Sequence, residues 1–162
     1  AYTKKVYNRD NPAKHSTNFR NQKGSCFVMA YMWTKDLETG NAMIDTQHKE
    51  LIRAINDLLQ ACSAGKGRAE IEKTTKFLFD YTNKHFGDEE RLQMHYGYPD
   101  MVNHKRYHEE FKRTVRDLTD HLNKEGPTVA LVGKVNNSIA GWLINHIKVQ
   151  DVKVAAHIRS KS

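Results

Sequence analysis

Four stretches of this chain repeat apolar residues at helical spacing, and a glycine or proline signal closes each of the first three. The first covers about Asn41–Ser63 and carries Met43, Ile44, Leu51, Ile52, Ile55, Leu58 and Leu59 before Gly65 and Gly67. The second, about Ala69–Tyr96, carries Ile71, Phe77, Leu78, Tyr81, Phe86, Leu92 and Met94 and stops at Gly97, Tyr98 and Pro99. The third, about Asp100–Lys124, carries Val102, Tyr107, Phe111, Val115, Leu118 and Leu122 and stops at Gly126 and Pro127. The fourth starts near Thr128 with Val129, Leu131, Val132, Val135, Ile139, Trp142, Leu143 and Ile147. A 3.6-residue period gathers each set into one apolar stripe. Long helices joined by short links pack as antiparallel neighbours. The pattern therefore predicts an all-α, up-down-up-down antiparallel four-helix bundle with an N-terminal arm. Residues 152–162 are expected to add a short C-terminal helix.

Composition agrees with one such domain. The chain has 162 residues, 38% hydrophobic and 28% charged. That length buries enough surface to need no disulfide. Cys26 and Cys62 make no disulfide framework and point to a reducing, cytoplasmic setting. No apolar run approaches the ~18 residues of a membrane span. The net charge of +7 would by itself suggest a nucleic-acid partner. However, residues 1–28 hold Lys4, Lys5, Arg9, Lys14, Arg20 and Lys23 against one acid, Asp10. That stretch is polar and aperiodic, and we read it as a flexible basic extension not native to the domain, which spans 29–162. The sequence MAYMW at Met29 resembles a natural start. The remainder has no basic stripe interleaved with aromatics, which excludes nucleic acid as a partner.

All four helical segments also carry histidines or acids among apolar neighbours. The first offers His48. The second offers His85 and Glu89. The third offers His104 and His108, and the fourth His146 with Asp151 at or beyond its end. Residues four apart share a helix face, so His85 with Glu89, and His104 with His108, reach one interior point each. His146 and Asp151 are five apart and converge only where the helix ends or loosens, so a break is expected near Val149–Asp151. Burying so many polar groups without partners costs on the order of 1–3 kcal/mol each, and a metal removes that cost. Seven ligands exceed one tetrahedral zinc. Mixed imidazole and carboxylate ligation suits iron or manganese, and the seven serve two metals where both carboxylates bridge. His15, His95, His121 and His157 fit no ligand spacing and read as surface residues.

The stretches W..DLETGNAMIDTQHKEL, HFGDEERLQMHYGYPDMVNH..YHEEF and WLINHI...D resemble the hemerythrin family, from about Trp33 to Asp151. The resemblance implies reversible dioxygen binding at a non-haem di-iron centre, two irons with an oxo or hydroxo bridge, for oxygen storage, transport or delivery rather than catalysis. By position, His104, His108 and His146 hold one iron. His48 and His85 hold the other and leave a place open for O₂, while Glu89 and Asp151 bridge both. Ile44, Ile52, Tyr81, Phe111, Trp142 and Leu143 lie one turn from ligands and are the candidate walls of an O₂ pocket. Asp45, Gln47, Glu90 and Glu109 are candidate acceptors for the ligand imidazoles. The alternatives are a module sensing O₂, NO or redox state through a partner in trans, and a di-iron oxidase or peroxidase. A protein recipient of the O₂ and the oligomeric state, with a monomer compatible, stay open.

Overall fold

The computed structural model describes residues 16–19, 28–66 and 68–161. Most of the basic extension expected at 1–28 lies outside the described residues. Its described part is not aperiodic coil. Ser16–Phe19 (β1) pairs antiparallel with Val28–Tyr31 (β2), Ser16 opposite Tyr31.

The bundle follows the expected four segments. Helix α1 spans Ala42–Ser63, α2 Arg68–His95 and α3 Met101–Glu125. Asn41 starts α1 by accepting from the backbone N–H groups of Met43 and Ile44, each at 3.1 Å, which satisfies donors that the first turn leaves unpaired. Gly97 and Gly126 follow α2 and α3 with φ of 62° and 75°, a region that side chains with a Cβ disfavour. Thr128 opens the fourth helix by accepting from Leu131 N–H at 3.2 Å.

The fourth helix departs from the expectation. It runs without a break as α4 (Val129–Lys134), a π-helical segment (Val135–Gly141), α5 (Trp142–His146), a second π-helical segment (Ile147–Asp151) and α6 (Val152–Lys161). The break expected near Val149–Asp151 is a loosening instead. A wider π turn brings residues five apart onto one face, and the chain keeps its helical hydrogen bonds. The C-terminal helix expected at 152–162 is the continuation of this rod.

Packing is sequential: α1 on α2, α2 on α3, and α4 with the first π segment against α1 and α3. Leu51, Ile55, Leu58, Leu78, Phe111, Val115, Leu118, Leu122, Leu131, Val135, Ile139 and Leu143 belong to one buried cluster. Some apolar residues of the periodic stretches stay outside it. Phe77, Met94, Val102 and Val129 are exposed.

Up-down topology also sorts the polar residues. His48 lies in the first half of α1, and His85 and Glu89 in the second half of α2. His104 and His108 lie in the first half of α3, and His146 and Asp151 late in the fourth rod. Antiparallel neighbours place all four sets at the same end of the bundle. Tyr31 ties β2 to that body: its backbone exchanges two hydrogen bonds with the Asn56 amide, and its hydroxyl donates to Asn136 Oδ1 at 2.9 Å. Among the described residues, no helix is long and apolar enough to cross a membrane.

Candidate metal centre

The seven expected residues are all buried and meet in one place. Their donor atoms fall into two groups, each within 4.8 Å of one another: Glu89, His104, His108, His146 and Asp151, and His48, His85 and Asp151. Asp151 belongs to both. Its Oδ1 lies 3.0 Å from His146 Nε2 and 3.3 Å from His104 Nε2, while its Oδ2 lies 3.0 Å from His48 Nε2. Glu89 faces both groups too, with Oε1 3.3 Å from His104 Nε2 and Oε2 3.5 Å from His108 Nε2 and 3.8 Å from His85 Nε2. The His146–Asp151 contact is the direct product of the Ile147–Asp151 π turn.

Proximity does not satisfy these atoms. His48 Nε2, His85 Nε2, Glu89 Oε2 and both Asp151 oxygens are buried without a hydrogen-bond partner. Native interiors rarely leave such groups orphaned. A cation inside each donor group would satisfy them together, so the residues fit a pair of metals.

Their ionisation agrees. Burial, and then the neighbouring His48, holds His85 well below the usual imidazole range. Burial brings His108 down to about 4. Both are therefore neutral at pH 7, the form that binds metal. Burial, and then the charge of Asp151, pushes Glu89 well above the ordinary carboxyl range. Burial acts the same way on Asp151, but the imidazoles of His146, His104 and His48 overcome it and hold that group well below. Two buried carboxylates facing one space do not both keep a charge unless a cation lies between them.

Other side chains orient the ligand set. His85 Nδ1 lies 2.9 Å from Gln47 Oε1, and Gln47 Nε2 donates to Asp88 Oδ2 at 2.6 Å. His108 Nδ1 lies 3.1 Å from Glu90 Oε1. This bond lowers the Glu90 carboxyl despite the opposing effect of its partial burial. Gln93 donates to Glu89 Oε1 at 3.1 Å. Of the four candidate acceptors, Gln47 and Glu90 reach ligand imidazoles. Asp45 does not: its Oδ1 accepts from Thr39 N–H and Oγ1, both at 2.8 Å, and shapes the turn before α1. Glu109 is exposed and pairs with Lys112.

The candidate pocket walls divide. Trp142 stacks on His146, centroids 4.4 Å apart, and Phe111 stacks on Trp142 at 4.2 Å. Ile52 and Leu143 line a small apolar void with Tyr31, Ile55, Ala140 and Ile144. Ile44 is fully buried. Tyr81 turns elsewhere: it is half-buried, stacked on exposed Phe77 and within 5.9 Å of Lys84 Nζ. Sequence reasoning missed Phe86, whose ring lies flat on His108 at 3.7 Å. Adjacency to His85 hid it, since one residue on turns a helix by about 100°. It missed Gln93 as well, although the four-residue step from Glu89 was a usable signal.

Of the remaining histidines, His95 and His121 are exposed, as expected, and His15 lies outside the described residues. His157 is not a free surface residue. Its Nε2 sits 2.9 Å from the Tyr96 carbonyl, which pins α6 to the α2–α3 turn. Cys62 is a buried filler in α1, and burial raises its thiol. Trp33 is half-buried beside His48, ring centroids 6.3 Å apart, with Lys49 Nζ over its ring.

Residues 39–158 match the family model of the hemerythrin HHE cation binding domain. A bacteriohemerythrin of Pseudomonas paraeruginosa is 36% identical over 132 residues, covering 81% of this chain and 84% of that protein. A myohemerythrin of Theromyzon tessulatum is 31% identical, covering 76% of this chain and 89% of the other. A wild-type hemerythrin crystal structure superposes with a TM-score of 0.70 at 28% identity, covering 78% of this chain and 96% of that one.

Proposed function

We infer the function from one premise: this chain belongs to the hemerythrin family. It binds dioxygen reversibly at a non-haem di-iron centre. The observation that carries this reading is the pair of buried donor groups sharing Asp151. When bound, the two irons supply the redox chemistry that holds and releases O₂.

Each protein group then has a task. We propose that His104, His108 and His146 hold one iron, that His48 and His85 hold the other, and that Glu89 and Asp151 bridge them. The second group contains fewer donors than the first, which supports placing the open side there. The bridging carboxylates, the two acids fully buried among the described residues, offset metal charge. Gln93 and the imidazoles hold those carboxylates in place. Phe86 and Trp142, each flat against a ligand imidazole, keep bulk water away from the ring faces. A dry wall matters because water promotes loss of the bound ligand as a reduced oxygen species. The carrier reading is favoured over an enzyme because the rings lying flat on the ligand imidazoles, Phe86 and Trp142, carry no acid or base. The free, buried thiol of Cys62 supports a cytoplasmic setting, which cell fractionation checks.

The test is spectroscopic. The protein is loaded with iron, reduced without oxygen, exposed to O₂ and then degassed. A visible charge-transfer band that appears with O₂ and fades on its removal is expected. Immediate, irreversible oxidation would overturn the carrier reading in favour of an oxidase.

A further inference from the structure

We infer that Gln47 is a positioning residue for the open-side metal, presenting His85 with a neutral acceptor where His108 receives a charged one. This rests on the di-iron reading above. Gln47 is buried, with 5% of its surface exposed. Its amide bridges His85 Nδ1, 2.9 Å away, and Asp88 Oδ2, 2.6 Å away. A carboxylate only accepts, so the Gln47 NH₂ must face Asp88 and its carbonyl must face His85. A carbonyl also only accepts, so His85 Nδ1 carries the hydrogen. The lone pair is then on Nε2, the nitrogen turned toward the donor group it shares with His48 and Asp151.

Asp88 is itself held. Lys84 Nζ lies 2.7 Å from its Oδ2, and the Arg91 guanidinium contacts its Oδ1. The chain of contacts thus runs from surface cations through Asp88 and Gln47 to a ligand imidazole. Flipping the amide would set two oxygens against each other and two hydrogens against each other. The arrangement is locked at both ends.

The other group is wired differently. His108 Nδ1 meets the Glu90 carboxylate directly at 3.1 Å. An anionic acceptor raises the donor strength of an imidazole more than a neutral amide does. Three successive acids therefore act in three ways: Asp88 orients through Gln47, Glu89 faces both donor groups, and Glu90 polarises His108. Of these two imidazoles, the open-side metal receives the less electron-rich one. That favours its reduced state, to which it must return whenever O₂ leaves.

Three forms of the full chain test this: wild type, Gln47→Leu, and the double variant Gln47→Glu with Asp88→Asn. In the double variant the new amide at position 88 donates to the new carboxylate at position 47, and the negative charge moves inward to His85. Zinc-loaded samples report the His85 Nδ1–H by ¹⁵N NMR, metal titration reports both affinities, and spectroelectrochemistry of the iron form reports the potential. Gln47→Leu is expected to lose the protected Nδ1–H and to weaken the second metal by roughly 10- to 100-fold, with the first unchanged. The double variant should keep both metals, lower the midpoint potential and oxidise faster in air. Wild-type affinity in Gln47→Leu, or an unmoved potential in the double variant, overturns the inference. If Gln47→Leu does not fold, the double variant still decides. Wild-type protein that takes up fewer than two metals overturns the di-iron reading itself, a distinct outcome.

Discussion

Away from the histidines, the buried apolar cluster is aliphatic, with Leu58, Leu78, Leu118 and Leu131, and the buried hydroxyl of Thr75 bonds back to the Ile71 carbonyl at 2.9 Å. At the other end of the same helices, His48, His85, Glu89 and Asp151 bury polar atoms that no protein group satisfies. The aliphatic half gains stability from area removed from water. The polar half costs stability in the metal-free chain, on the order of 1–3 kcal/mol for each orphaned group. One buried apolar cluster runs through both regions, so the aliphatic end supplies most of the stabilising burial while the other end gives up part of it for a ligand set.

Substitutions in each half test this division. The largest effect is expected from Asp151→Ala, since Asp151 stands in both donor groups. Metal analysis should find neither metal held at wild-type occupancy, while circular dichroism keeps the helical signal. An intact di-iron spectrum would sink the bridging assignment. Next comes Leu78→Ala in the aliphatic half, a residue 1% exposed. A loss of about 2–5 kcal/mol in denaturant unfolding is expected, with two metals still bound per chain. Loss of metal there would show that the halves are coupled. Glu90→Gln should act on the polar half alone, weakening one metal by roughly 10- to 100-fold in a titration and leaving the unfolding of the metal-free chain near wild type. Smallest is Tyr31→Phe, which removes the bond to Asn136. A drop of about 1 kcal/mol in unfolding free energy is expected, with unchanged metal content.

Much of this was legible beforehand because periodicity reports faces. His85 with Glu89 and His104 with His108 were paired by a step of four, which holds in any regular helix. Asp151 was harder. Its five-residue step from His146 signalled an irregularity but not its form, since a broken and a loosened helix bring the same two side chains together. Tyr81 passed the same spacing rule as Trp142 and yet stacks on exposed Phe77 rather than on a ligand imidazole. A position one turn from a ligand is near the site only if the neighbouring helix turns that way. Gln47 and Glu90 met ligand imidazoles where Asp45 and Glu109 did not, although all four are polar residues close to ligands in the chain.

The amino-acid sequence alone determined the helices, their up-down order and the seven polar residues that meet in the interior. These follow from local period and short links, which depend only on neighbours along the chain. Tertiary structure decided the π turn that carries Asp151 to His146, the choice of Gln47 and Glu90 as partners, and the flat contact of Phe86 on His108. Each of these depends on how one helix is rotated against another, and that rotation is set by packing across the core rather than by residues nearby in sequence.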